Sequence, residues 1–172
     1  MDQELANNHK HYCTQESLKK MKNKKAVDVL NNLLTINNDR IEGYETAAKE
    51  TEEQDLKSLF SQFSATSKKC KQELANEVNR LGGTPAEGTL TTGKFFRVWM
   101  DVKAALSGKY RKAILESCEY GEDVAKDTYV KALEGNSENL NAVQQIMIQA
   151  QKTLLAADHD RVKSMRDLVE TD

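Results

Sequence analysis

The sequence predicts an all-α fold, a four-helix bundle with one long crossover between its second and third helices. Three observations carry this expectation. The 172-residue chain holds one proline and eight glycines, too few turn formers for many short strands. Apolar residues recur at three- and four-residue steps over four long stretches. The joints between the first and second stretches and between the third and fourth are tight, whereas residues 82–109 separate the second from the third.

The first helix runs from about Ala26 to about Glu50 on Leu30, Leu33, Leu34, Asn37, Ile41, Tyr44 and Ala48. Thr51 with Gln54 reads as a capping box that starts a second helix at once. Its inner face is Leu56, Leu59, Phe60, Phe63, Ser67, Cys70, Leu74, Val78 and Leu81, and Gly82-Gly83 end it. The stretch TPAEGTLTTGK is loop-like and leads into a short amphipathic helix, FFRVWMDVKAAL, broken by Ser107-Gly108. The third helix spans roughly 110–134 and stops at Gly135. Asn136 or Ser137 is the expected cap of the fourth, which carries Leu140, Val143, Met147, Gln151, Leu154, Asp158, Val162, Met165 and Val169.

Tight joints make each pair an antiparallel hairpin, and the long joint lets the third helix run parallel to the second. A four-helix bundle with one such crossover is the ferritin-like arrangement. Residues 1–22 are polar and lack sustained periodicity, so they read as an N-terminal arm, open to disorder or an extension ahead of an alternative start at Met21. His9, His11 and Cys13 there are weaker candidates for a metal than for a solvated tail. The bundle domain is then 23–172.

Composition narrows the function. With 25 basic and 27 acidic residues interleaved, the net charge is −2 and no basic stripe offers a nucleic-acid footprint. Three scattered cysteines without a CxxC pair indicate neither a zinc knuckle nor a disulfide framework, and favour a reducing cytoplasm. No apolar run approaches a membrane span, and the N-terminus lacks a signal peptide's hydrophobic segment. Nor is there a phosphate-cradling glycine loop, a nucleophile elbow or a Cys/His pair at catalytic spacing.

The informative feature is polar. On a helical wheel Glu122 falls within about 30° of its helix's apolar direction, in line with Leu115, Cys118, Ala125 and Tyr129. Asp158, Asn37, Ser67 and Gln151 lie on or near the corresponding lines of the other helices, at mid-height. A buried carboxylate is costly unless neutralised or hydrogen-bonded. One reading is a closed network in which Glu122 accepts protons from Ser67, Asn37 or Tyr44, or is itself protonated. The other is a carboxylate metal site of Glu122 and Asp158 flanked by Glu45 and Glu119, whose oxygen ligands suit hard cations such as magnesium, calcium or manganese. The di-iron recipe of such bundles requires Glu-x-x-His on two helices. No Glu-x-x-His occurs: His159 follows Ala156, and Glu73 precedes Asn76. The network is therefore the favoured reading.

Two further features bear on packing. Gly43 and Gly121 lie in mid-helix, where each costs about 1 kcal/mol against alanine, so close helix approach or a packed aromatic ring is expected at both. Trp99, with Phe95, Val98 and Val102, is expected to be core rather than an exposed docking face.

The segments NNLLTINNDRIEGYETAAKE, ELANEVNRLGG, RVWMDVKAAL and CEYGEDVAKDTYVKALE resemble a bacterial ferritin-like four-helix-bundle family known only as a domain of unknown function. The resemblance covers about residues 25–170 in order and implies the ferritin-like fold and a prokaryotic source, but no reaction. In many members a histidine precedes the Arg-x-Trp-Met segment, where this chain has Phe96 before Arg97. The expectation is a cytoplasmic, non-enzymatic binding, structural or stress-related protein, with self-association through exposed helix faces and no nucleic-acid or membrane partner. The alternative is an iron- or manganese-binding protein or weak oxidoreductase using Glu122 and Asp158.

Overall fold

The computed structural model describes the backbone of residues 2–89, 94–108 and 110–169, and the side chains of 15–89, 97–108 and 110–169. Five α-helices follow one another: α1 (Asp2–Glu50), α2 (Gln54–Arg80), α3 (Lys94–Gly108), α4 (Arg111–Gly135) and α5 (Ala142–Val169). A 3₁₀ turn, Ser137–Asn139, precedes α5.

Contacts between α1 and α2, α2 and α5, α5 and α4, and α4 and α1 close a cycle, and α3 lies against α4 and α1. Side-chain pairs fix the directions. Asn37 meets Tyr129 and Tyr44 meets Glu122, so α1 and α4 are antiparallel. Arg40 meets Ser67 while Gly83 lies under Val27, so α1 and α2 are antiparallel as well. It follows that α2 and α4 run parallel, and the long connection between them returns the chain along the molecule.

Helix α1 is unbroken from Asp2, so the polar stretch 1–22 is helical from its second residue. Side chains 15–22 are nevertheless exposed, and the first buried one among those described is Ala26. His9, His11 and Cys13 lie outside the described side chains, as do Phe95 and Phe96. From Leu33 to Arg40 α1 is buried on more than one face, because the crossover and α3 cover the side that α2 and α4 do not. Asn31 and Asn38, two turns apart, grip the extended chain: Asn31 Nδ2 donates to the Thr84 carbonyl (3.1 Å) and Asn31 Oδ1 accepts from the Ala86 amide (2.9 Å). Asn38 Nδ2 donates to the carbonyls of Ala86 and Gly88 (3.0 and 3.1 Å).

The helix ends partly correct the sequence reading. Glu53, not Thr51, is the N-cap of α2, without a side-chain cap bond; Thr51 Oγ1 accepts from the Glu53 amide instead. The expected Asn136 or Ser137 cap is displaced by the 3₁₀ turn. Asn141 caps α5: its Oδ1 accepts from the Gln144 amide (2.9 Å) and its amide donates to Gln144 Oε1 (2.8 Å), a reciprocal capping box. At the end of α2, Gly82 takes φ +77° and the Gly83 amide donates to Val78 O, so the last carbonyls are satisfied.

The inner face of α5 is the expected one only in part: Gln151, Asp158 and Val162, with Leu140 just ahead of the helix, are buried as the periodicity suggested. Gln144, Ile148, Gln151, Leu155, Asp158 and Val162 are buried, whereas Val143 and Leu154 are exposed. Gln144 and Gln151 share the inner face of α5 while Val143, Ile146 and Leu154 lie outward, so averaging its apolar positions does not single out the inner face.

Mid-helix glycines seat α3. A Cβ at Gly43 would stand 1.7 Å from Trp99 Cε2, and one at Gly121 would stand 2.8 Å from Val98 Cγ1. Trp99 packs edge-on to Tyr44, with centroids 5.0 Å apart, and Val98 and Val102 are buried. Trp99 itself is half-buried, packed against both core clusters.

Candidate functional site

Midway along the molecule the cycle of helices closes on a charged residue that the wheel reading passed over. Arg40 follows Leu33 and Asn37 and precedes Tyr44 at steps of three and four, so it shares their inward line. It is fully buried. Its guanidinium meets three other helices. Nε and Nη2 donate to Glu122 Oε1 of α4 (3.1 and 2.9 Å), and Nη2 also reaches Glu122 Oε2 (2.8 Å). Nη2 approaches Asp158 Oδ2 of α5 (3.1 Å), and Nη1 donates to Ser67 Oγ of α2 (2.7 Å). Ser67 passes the bond on to the Phe63 carbonyl (3.0 Å). The Tyr44 hydroxyl donates to Glu122 Oε1 in a very short contact, and its ring stacks on Phe60 and meets Phe63 edge-on.

One turn away a neutral chain continues the layer. Asn37 Nδ2 donates to Tyr129 Oη (2.8 Å), and Tyr129 Oη donates to Gln151 Oε1 (2.9 Å). Gln151 Nε2 donates to Glu73 Oε2 (2.8 Å), at the rim of α2. The five residues expected in the polar layer, Asn37, Ser67, Glu122, Gln151 and Asp158, are all buried and all belong to one of these two chains. The signal that would have found Arg40 was available: two inward carboxylates demand a cation, and Arg40 is the basic residue on the inner line of α1.

The electrostatics follow from burial. For Arg40 desolvation opposes the charge, but Glu122, Tyr44 and Asp158 together outweigh it and hold the guanidinium more firmly protonated than in water. Burial, then the Glu122 charge, pushes the Tyr44 phenol well above its usual range, so it stays a donor. Burial also raises Asp158, against the pull of Arg40. One guanidinium thus faces two carboxyl groups.

The four carboxylates considered for a metal do not converge. Glu45 pairs at the surface with Lys68 (2.6 Å). Glu119 faces Arg166 and lies 3.9 Å from His159 Nε2, outside the layer. Glu122 and Asp158 do come together, with the Arg40 guanidinium between them. Among the described residues no three His, Cys, Asp or Glu side chains are grouped to hold a metal ion. As folded, this donor set does not fit a di-iron or manganese centre: a fixed cation stands where the ion's charge would be, and His159, the one histidine among the described side chains, faces Asp123 and Asp160 instead. Nor do the cysteines among the described residues, Cys70 and Cys118, stand ready as nucleophiles. The Cys118 and Cys70 thiols are pushed up by burial, Cys70 to about 11, far from the thiolate a reaction needs.

A second concavity, about 300 Å³, lies between α1 and α3 and is floored by Gly43, Ala47, Trp99, Val102 and Leu106. Its rim carries Glu42, Glu50 and Lys103.

No helix among the described residues is long and apolar enough to cross a membrane. The model of a family described as a domain of unknown function, DUF2383, matches residues 25–135. The match takes in Arg40, Ser67 and Glu122 and ends before α5, which supplies Gln151 and Asp158. No curated protein matches the chain.

Proposed function

The chain belongs to the DUF2383 family, and on that premise we propose that it is a cytoplasmic, non-enzymatic protein with a ferritin-like four-helix arrangement, whose inner layer serves as a structural lock rather than an ion site. Its task is binding or structural, of the kind a stress-related bacterial bundle performs. Neither nucleic acid nor membrane is its partner.

One observation carries this reading: the Arg40 guanidinium occupies the place between Glu122 and Asp158 that a metal would need. Direct hydrogen bonds from Arg40 run to α2, α4 and α5, so a one-residue slip of any helix would strand a buried charge. Buried polar groups of this kind fix register at a cost in stability. The free, buried Cys70 and Cys118 support a reducing compartment.

Elemental analysis of protein purified without chelator tests the reading. The expected result is trace metal, unchanged in Glu122→Ala. Near-stoichiometric iron or manganese, lost in that variant, would overturn it in favour of the metal-binding alternative.

A further inference from the structure

Among the described residues, the outer face of α5 carries the longest run of exposed apolar side chains on one helix. Val143 is 73% exposed, Ile146 69% and Leu154 36%, and Ala150 and Ala157 between and beyond them are exposed as well. Their spacing of three, four, four and three residues places all five on one stripe. From Asn141 to Ala157 the sequence is NAVQQIMIQAQKTLLAA, with Lys152 its one charge in a chain that is 30% charged. Lys152 lies on the opposite side of the helix, half-buried.

We propose that this stripe is where a second copy of the chain docks, α5 against α5, antiparallel about a two-fold axis at Ala150. Reversing the stripe about Ala150 places Val143 opposite Ala157 and Ile146 opposite Leu154. Thus a β-branched residue meets the smallest side chain, two long ones meet each other, and alanine meets alanine at the crossing, where helices approach closest. A two-fold contact is made by the same patch on both partners, so any charge near its centre faces its own like. The stripe from Val143 to Ala157 carries no charge, as such self-pairing requires at its centre, and the first charge on its line is the exposed Arg161, one turn beyond Ala157. Five residues a side is far short of the roughly 20–30 of a standard interface, so the dimer exchanges with monomer.

Sedimentation velocity of the full chain over a wide loading range tests this. The mass is expected to climb from 19.4 kDa towards twice that value as concentration rises, and Ile146→Glu and Ala150→Lys are each expected to hold it at monomer. Both sites are exposed, so circular dichroism serves as the folding control. Geometry is read separately in a Cys13→Ser background. Brief oxidation should link copies of Ala150→Cys but not of Val143→Cys, whose copies stand about 21 Å apart along the helices, beyond the ~7 Å Cα separation a disulfide spans. A monomer at every concentration would overturn the proposal and assign the stripe to a different partner. So would dimers that survive both substitutions, or Val143→Cys linking as readily as Ala150→Cys.

Discussion

Arg40 holds Glu122 by both carboxylate oxygens, with Nη2 2.9 Å from Oε1 and 2.8 Å from Oε2, and neither side chain reaches solvent. Each charge is tolerated only because the other is present. Arg40→Met should therefore lower unfolding free energy by about 3–5 kcal/mol, the range for leaving a buried charge uncompensated. Combining it with Glu122→Leu and Asp158→Leu should recover most of the loss. Urea denaturation of the three proteins checks this; a triple variant no better than the single would contradict it.

The Asp158 carboxyl supplies a pH signature. Its folded pKa lies above the unfolded value, so its stabilising contribution is complete below the ordinary aspartate value near 4 and is lost as pH rises through the raised folded value. Asp158→Asn stays neutral throughout. Relative to the parent, it should gain stability as the pH rises above about 4. Melting temperatures of both proteins across that range decide the matter, and a constant gap would mean that Asp158 ionises alike in both states.

Gly43 is the seat of Trp99. Alanine at that position would gain about 1 kcal/mol of helix propensity but would collide with an indole held against Tyr44. Overpacking costs about 1–3 kcal/mol, so Gly43→Ala should be net destabilising and should shift the emission of the chain's one tryptophan to longer wavelength. Gly121→Ala meets a valine methyl at 2.8 Å and should be milder.

At the start of α5 the reciprocal bonds between Asn141 and Gln144 predict a loss of about 1 kcal/mol for Asn141→Ala. Ser137→Ala should leave the midpoint unchanged. Equal effects would mean that the helix starts earlier than Ala142.

In a Cys13→Ser background the two remaining thiols, Cys70 and Cys118, should resist a thiol reagent at mildly alkaline pH until urea unfolds the chain. Burial denies them thiolate and access together. Fast labelling of either in the native protein would show that the core opens locally.

Much of this was legible in the sequence, for physical reasons that differ by element. The inner face of α2 repeats leucine and phenylalanine against a polar outer face, so one direction stands out, and all of it from Leu56 to Val78 is buried. Helix α5 resists the same treatment because glutamines share its inner face while apolar residues also lie outward, and only its neighbours decide that Gln144 and Leu155 turn inward while Val143 and Leu154 do not. The five polar-layer residues were recoverable from position alone. Arg40 was not, because an arginine on a helix wheel reads as surface until its carboxylate partners are placed on other helices. Capping by Asn141 was hidden behind the nearer Asn136 and Ser137, which a short 3₁₀ turn uses up.

The central ion pair also divides the chain. Arg40 belongs to the first hairpin, whereas Glu122 and Asp158 belong to the second, and the segment clasped by Asn31 and Asn38 begins the connection between them. Either hairpin by itself would face its partner with a naked charge on its apolar side. Each is thus a poor folding unit and a specific mate for the other, and wrong pairings between chains are discouraged by the same atoms that reward the right one.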